Sequence, residues 1–356
     1  MYNLGSERRM RWRIHPVTNF LNQASVWDAL NLGTGDLPFL RTDFLLPALD
    51  EFGTGREFLA VADEGGTPVA MGIFSRVRQG FWETFQPSQL PLGAFVSKRG
   101  LRLDVALSAL GQALPGVVLG VALTQQDPAV SQKPPTSATL ETLDYVDTAC
   151  IRITGTFDEY WASRGKNLRQ NIKKQVAKLA QDGIEAKLEL VDDPAEVSQA
   201  IVQYGKLESA GWKAEGGTAI SPDNAQGRFY RAVFESFCNK GLGRIYRFSL
   251  NGQVVAMDLC LVGGGALVIL KTTYDESLKS ISPAFLMRHR YVPLIFAEKG
   301  IDRIEFYGKV MEWHLRWTEE VRTLFHVNHY RWRWVAAVRK EVRRAQARSI
   351  SVASKC

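Results

Sequence analysis

The stretch Arg244-Ile-Tyr-Arg-Phe-Ser-Leu250, Asn251-Gly252, Val254-Val-Ala-Met-Asp-Leu-Cys-Leu-Val262 decides the fold class of this chain. Apolar residues alternate through its first run, and Asn-Gly is the dipeptide that tolerates the two positive φ angles of a tight hairpin turn. Gly263-Gly264-Gly265 breaks the return strand, and Ala266-Leu-Val-Ile-Leu-Lys-Thr-Thr-Tyr274 supplies a third. Ser282-Pro283 then offers a capping hydroxyl and a proline at the first helical position, ahead of a helical pattern that ends near Gly300. Asp302-Arg-Ile-Glu-Phe-Tyr307, closed by Gly308, reads as a further short strand. Three antiparallel strands, a helix and another strand make a layered α/β unit. Where strand feeds helix, backbone N–H groups point outward and favour an anionic ligand.

A similar pattern lies upstream. Glu57–Asp63, a turn at Glu64-Gly65-Gly66 and Thr67–Val77 form a second hairpin, with a third strand at Phe81–Phe85. Gly66-Thr-Pro-Val69-Ala70-Met71 aligns with Gly252-Gln-Val-Val255-Ala256-Met257, which predicts an internal duplication. A chain of 356 residues exceeds one ordinary core, so two domains are expected. The polar segment Gln125–Ala138 reads as an exposed loop or linker between them. The division is set at 1–143 and 144–356.

Helices are predicted at Thr18–Leu32, Asp43–Phe52 and Leu103–Leu114. In the second half Thr156 caps a helix with Asp158 and Glu159 in its first turn. Leu168, Ile172, Val176 and Leu179 then form one apolar stripe ending at Gly183. A strand at Ile184–Val191 and helices opening at Asp193-Pro194 and Ser221-Pro222 follow. Gly211-Trp-Lys-Ala-Glu-Gly-Gly217 is either a connector with a packed Trp or a substrate-contacting loop. Thr323–Trp334 reads as a last strand and Val335–Arg348 as a basic helix.

Hydrophobic content of 46% and charged content of 23% are those of an ordinary globular protein. The four cysteines show no metal or redox spacing, and the five histidines form no HExxH cluster, so neither a disulfide framework nor a metal site is expected. No apolar run reaches bilayer length and no secretory leader is recognised, so a cytoplasmic location is expected. The net charge of +7 is concentrated in two segments. One holds Arg164, Lys166, Arg169, Lys173, Lys174 and Lys178; the other runs from Arg331 to Arg348 and is opposed only by Glu341. Each reads as a solvated helix face or as an attractor of phosphate, nucleic acid or an anionic membrane.

The helix Phe157-Asp-Glu-Tyr-Trp … Asn167-Leu-Arg-Gln-Asn-Ile-Lys-Lys … Leu179-Ala-Gln-Asp-Gly183 resembles the one that opens the acyltransferase domain of the CelD/BcsL family, a GNAT-fold group linked by name to bacterial cellulose and exopolysaccharide production. Tyr274-Asp275, Ser282-Pro283, Ala297–Gly300, Glu305-Phe306-Tyr307-Gly308, Trp313 and Trp317-Thr318 extend the likeness over residues 150–335. The resemblance implies an α/β (α+β) fold of tandem GNAT-like domains, each a mixed, largely antiparallel sheet flanked by helices, the first degenerate and the second catalytic. It also implies distant similarity to Fem-type peptidoglycan aminoacyl transferases. Its activity would be transfer of an acyl group from acetyl-CoA or another acyl-CoA to an amine or hydroxyl. The acceptor class is a small molecule or a cell-envelope or polysaccharide precursor. This chain departs from the pattern in three ways: the Arg/Gln-x-x-Gly-x-Gly/Ala signature is absent, Ala284 replaces a usual glycine in Lys279-Ser-Ile-Ser-Pro-Ala284, and His314 stands where lysine is common.

On that resemblance the donor's pyrophosphate sits at the start of the Ser282–Lys299 helix, with Lys279, Ser280, Ser282, Ala284 and Arg288 as the binding residues. Lys279 reads equally as a surface lysine. Glu305, flanked by Ile304 and Phe306, is the first candidate base or an outward-facing strand carboxylate. Asp258 is the second candidate or a structural salt-bridge partner. Tyr307 is a proton donor for the thiolate or a core tyrosine, and His314 an acid–base group or a stacked structural residue. Two rival functions stand beside this one: aminoacyl transfer from charged tRNA, and a non-catalytic binding module.

Overall fold

Asn251 and Gly252 both take positive φ, 48° and 80°. The turn pairs Leu250 with Gln253 and Ser249 with Val254; a bulge between Val254 and Ala256 then shifts the register by one, so that Ala256 lies opposite Phe248 and Asp258 opposite Tyr246. The computed structural model describes residues 10–209 and 220–353, so the Gly211–Gly217 loop lies outside the described residues.

In chain order the first elements are β1 (Arg11–Pro16), α1 (Ala24–Thr34), α2 (Thr42–Phe52), β2 (Phe58–Glu64), β3 (Thr67–Arg78), β4 (Phe81–Thr84), β5 (Phe95–Ser97), α3 (Leu103–Ala113), β6 (Gly120–Gln126) and β7 (Leu140–Arg152). There follow α4 (Phe157–Ser163), α5 (Lys166–Gln181), β8 (Ala186–Val191), α6 (Pro194–Ser209), α7 (Ala225–Asn239), β9 (Gly243–Leu250), β10 (Gln253–Gly263), β11 (Ala266–Tyr274), α8 (Pro283–Ala297), β12 (Arg303–Glu305), α9 (Glu312–Trp317), β13 (Val321–Tyr330) and α10 (Arg333–Ala353).

The chain forms two compact units whose segments alternate along the sequence. Unit 1 comprises the residues up to Asp36, Gly53–Val146 and the residues from Thr323; unit 2 comprises Leu37–Phe52 and Asp147–Arg322. The linear division at 143/144 therefore assigns two segments differently. Helix α2 belongs to unit 2 because Phe44 packs edge-on against Phe229 and Asp43 takes Lys240, both from α7. The basic helix α10 belongs to unit 1, where Arg343 pairs with Glu141.

The sheet of unit 1 runs β1-β2-β3-β4-β6-β13, with β5 on β3; only β4 and β6 are parallel. Its core buries Ala106, Leu107 and Leu110 of α3 against Ala60, Ala70, Val121 and Leu123. In unit 2 the order is β8-β9-β10-β11-β12-β7, and only β11 and β12 are parallel. The two sheets thus repeat one plan: a hairpin, a third strand, a helix, then a strand parallel to the third. Ala70, Met71, Ala256 and Met257, the residues that suggested a duplication, are all fully buried.

One face of the unit 2 sheet is covered by α5 and α8. Leu168, Ile172 and Leu179 of α5 and Leu286, Met287, Tyr291 and Ile295 of α8 pack on Tyr246, Phe248, Leu267 and Ile304. The intervening side chains of β9 point the other way, where Arg247 reaches Gln203 of α6. Local differences from expectation have local causes. The 18–32 helix starts with two 3-10 turns before α1, and α7 begins behind Asn224, whose side chain accepts from the Gly227 N–H, rather than at Ser221-Pro222. Strand β12 stops at Glu305, and Tyr307 turns the chain with φ 43°.

Candidate functional site

Strands β11 and β12 pair only from Ala266 opposite Arg303 to Val268 opposite Glu305. Beyond that point β11 continues to Tyr274, held on its other edge by β10, while the chain leaving β12 follows β7: the Phe306 N–H donates to Ala149 O and the Val310 N–H to Asp147 O. The sheet therefore forks. Along Ile269–Tyr274 one edge of β11 faces no strand among the described residues. Such an edge keeps donors and acceptors for an extended ligand.

The start of α8 lies beyond the far end of β11. The Asp275 carboxylate accepts from the Ser277 N–H and hydroxyl, and Gln175 of α5 donates to Ser280 O at 3.0 Å. Ser282 adopts a left-handed conformation (φ 52°, ψ 60°), so its hydroxyl does not cap the helix as the sequence suggested. Its carbonyl accepts from Phe285 and Leu286 N–H. With proline at position 283, the Ala284 amide is the first-turn N–H left without such a partner.

A cavity of about 510 Å³ opens at this point, lined by Ser282 just before α8 and Phe285 within it, Gly165 and Asn167 at the start of α5, and Leu315 and Arg316 of α9. Two helix N-termini thus meet one cavity, each with the positive end of its dipole. Arg164 stands at the same wall: it donates to Trp317 O at 3.1 Å, and its Nε is buried without a partner. Of the two carboxylates on the lining, Glu312 is paired with Arg316 at 2.8 Å, leaving Glu319 to oppose the cations.

The residues singled out from sequence fall into separate groups. Ser282 lines the cavity; Lys279 and Ser280 are exposed outside it, and Ala284 is buried beneath it. Arg288 and Asp258 face each other in the interior, 2% and 0% exposed. Arg288 Nε lies 3.0 Å from Asp258 Oδ2, and its Nη2 lies 3.0 Å from Oδ1 and 2.6 Å from Thr272 Oγ1. Tyr291 adds a hydroxyl donor at 2.8 Å, and Trp313 covers the guanidinium at 4.6 Å. Arg288 and Asp258 are thus engaged with one another, Thr272 and Tyr291 in the interior, and neither lines the cavity.

Glu305 sits at the fork itself, 3% exposed, with Arg303 Nε at 3.1 Å and Arg322 Nη2 at 2.9 Å. Opposite it across β7 is Cys150, whose thiol is pushed up to about 11 by burial and then by the Glu305 charge. Tyr307 packs on Phe39 at 4.8 Å, and Arg322 lies over its ring at 5.2 Å, so Glu305 and Tyr307 share one neighbour. His314 is stacked on Trp313 at 3.5 Å, and its Nδ1 accepts from the Met311 N–H. Burial, followed by the Arg288 charge, pulls it down to about 4, which keeps the ring neutral.

Two groups escaped the sequence reading. Arg164 was visible only as one of several cations. Lys271, on the stretch of β11 that β12 abandons, reaches Glu208 of α6 at 3.2 Å and lies over the rings of Tyr230 and Tyr204. The Tyr204 hydroxyl is buried without a partner, and burial raises its pKa well above the usual value. A lysine directly after the apolar run Leu267–Leu270, within one strand pattern, was the available signal. Among the described residues no cluster of metal-ligating side chains occurs, and no helix is long and apolar enough to cross a membrane.

A mixed sheet with one parallel pair, forked beyond that pair and followed by a helix that starts at the fork's far arm, is a GNAT-like fold. A family model described as an acetyltransferase (GNAT) domain matches residues 166–315, from α5 into α9, a segment that includes β11, β12 and the start of α8. Among solved structures the chain is similar to FemX (TM-score 0.57, 10% identity, 89% of this chain and 97% of that one). It is also similar to L-PGS from Bacillus licheniformis (TM-score 0.51, 13% identity, 86% and 91%). A third likeness is to a conserved protein of unknown function from Bacteroides thetaiotaomicron VPI-5482 (TM-score 0.57, 10% identity, 89% and 99%). No curated protein matches the sequence. At these identities the likeness to the solved structures is one of fold.

Proposed function

We propose that the chain is a cytoplasmic acyltransferase related to the CelD/BcsL group, carrying an acyl group from acetyl-CoA or another acyl-CoA to an amine or hydroxyl of a small molecule or cell-envelope precursor. The observation that carries this reading is the forked sheet whose open β11 edge leads to a cavity faced by two helix N-termini and Arg164. The residues fit the donor. Diphosphate suits the helix ends and the unpartnered Arg164 Nε, and the amides of a pantetheine arm suit an unpaired strand edge. The cavity is within the range of ligand sites. Ser282 takes a left-handed conformation (φ 52°) at the start of the helix, one that glycine adopts without strain.

In the reaction the acceptor nitrogen or oxygen attacks the thioester carbonyl, the C–S bond breaks, and the acceptor's proton must reach the leaving thiolate. Glu305 is our candidate to receive the proton and Tyr307 to return one, since both stand at the fork. Glu305 must then loosen one of its two arginine contacts when the acceptor binds.

We infer further that unit 1 is a degenerate copy. In it the space matching the fork is filled by the chain itself: the Gly93 N–H donates to Thr124 O of β6, and the Ala94 N–H to Phe85 O just beyond β4. A Cβ on Gly93 would lie 2.2 Å from Thr84 Oγ1, so glycine is needed for this plug.

Thermal-shift titration with a series of CoA esters, coupled to colorimetric detection of released thiol, tests the donor. Stabilisation by at least one ester is expected, reduced in Arg164→Gln. If no ester stabilises the protein while aminoacyl-tRNA binds with steep salt dependence, the donor is a charged tRNA and the reading is wrong.

A further inference from the structure

Unit 1 presents an edge that the acyltransferase reading does not use. At the start of α10, Trp332 and Trp334 are stacked at 5.9 Å and 10°, yet 39% and 60% exposed. Val77 at the end of β3 and Val117 before β6 are also exposed, 50% and 69%. Backbone bonds hold these segments side by side: the Arg331 N–H donates to Leu119 O, and the Leu119 N–H to Gly80 O. Along α10 the apolar line continues at four-residue steps from Trp334 to Val338 and Val342, 55% and 40% exposed.

The same edge is cationic. The guanidiniums of Arg78 and Arg339 both lie over the Phe81 ring, at 4.1 and 5.5 Å, and Arg339 Nε is buried without a partner. Burial and then the Arg339 charge lower the pKa of Arg78, as expected for two cations crowded together. Arg331 lies over Trp332 at 5.0 Å. The nearby carboxylates are largely engaged elsewhere: Glu341 holds Arg344 and Glu141 holds Arg343. Glu83, half-buried, is the one acidic group that Arg78 feels besides the Tyr330 phenol.

We propose that this edge docks on an anionic phospholipid surface, with the two tryptophans at headgroup depth and Arg78 and Arg339 sharing a lipid phosphate. Indole rings favour that depth, being apolar with one polar N–H, and paired arginines are good phosphate ligands. Basic charge around an exposed apolar line is the pattern of an interfacial helix. Nucleic acid would use the tryptophans and arginines as well, but stacking on bases gives the exposed valines nothing to cover them. A hydrocarbon boundary covers all of them at once.

The test is co-sedimentation of the full chain with phosphatidylcholine vesicles, with and without phosphatidylglycerol, over a salt series. Binding is expected only to the phosphatidylglycerol vesicles, with salt weakening it and with a blue shift of tryptophan emission. Trp334→Ala should lower partitioning about tenfold. Arg78→Gln and Arg339→Gln should each lower it about fivefold. Trp334 and Arg78 are exposed and Arg339 is half-buried, so a melting temperature measured for each variant shows that it is folded. Absence of vesicle binding at low salt, equal binding to neutral vesicles, or displacement from vesicles by single-stranded RNA would each overturn the proposal.

Discussion

Replacing Asp258 by asparagine separates a structural carboxylate from a catalytic one. Asp258 and Arg288 have side-chain exposures of 0% and 3%, and the pair is closed by Thr272, Tyr291 and the Trp313 ring. Neutralising one partner strands the other charge in the interior, which costs about 3–5 kcal/mol. For a unit of this size that corresponds to a fall of roughly 10 °C in melting temperature. The double variant Asp258→Asn, Arg288→Met removes the stranded charge and should recover ~2 kcal/mol or more of the loss, a coupling far above that of an exposed pair. Thermal and urea denaturation of the four proteins in the cycle give the number directly. Thiol release measured well below the melting temperature should be reduced modestly, not abolished. The reasoning is refuted if Asp258→Asn melts with the wild type yet loses turnover, because the carboxylate would then be serving chemistry and not the core.

Further outcomes follow from other contacts. His314 stays neutral in the folded chain down to about pH 4, while an unperturbed histidine protonates near 6.5, so the unfolded chain binds more protons in between. Its stabilising effect is therefore complete above about pH 6.5 and is lost as pH falls towards 4, by at most ~3 kcal/mol, and His314→Gln should flatten that slope in a pH series of melts. Gly205→Ala improves helix propensity but sets a Cβ 2.3 Å from Ile220 O, so it should destabilise by about 1–3 kcal/mol in urea. Ser282→Gly relieves a left-handed non-glycine residue and should raise stability by about 1 kcal/mol; if the hydroxyl also touches the donor, affinity for CoA falls in the same protein. Thr156→Ala removes one half of a reciprocal cap with Glu159 and should cost about 1 kcal/mol.

The central hairpin was legible because its turn chemistry and its alternation agree: Asn251-Gly252 asks for positive φ at both residues, and the strands supply one buried face. The repeated plan could be read from Val69-Ala70-Met71 and Val255-Ala256-Met257, since each lies in the middle strand of three antiparallel strands and is buried. The alternation of the units' segments along the sequence escaped because it depends on which surface α2 and α10 cover, a long-range choice that local periodicity does not encode. The short β12 escaped too. Alternation in Asp302–Tyr307 predicts a strand, but the fork ends the pairing at Glu305, and Tyr307 departs from extended backbone. Residue type alone marked Asp258, Arg288 and Glu305 as unusual; only side-chain direction shows that the first two pair with each other while Glu305 is buried between Arg303 and Arg322 at the end of the β11–β12 pairing.

The central claim is that an anionic thioester donor lies along the free edge of β11 with its phosphates where α5 and α8 begin. A crystal structure of the protein with coenzyme A tests this most directly. The account predicts density for the diphosphate beside Arg164, Gly165 and Ser282, and for the pantetheine arm alongside Ile269–Tyr274. A saturated crystal showing that cavity vacant, or the coenzyme bound at another surface, would contradict it.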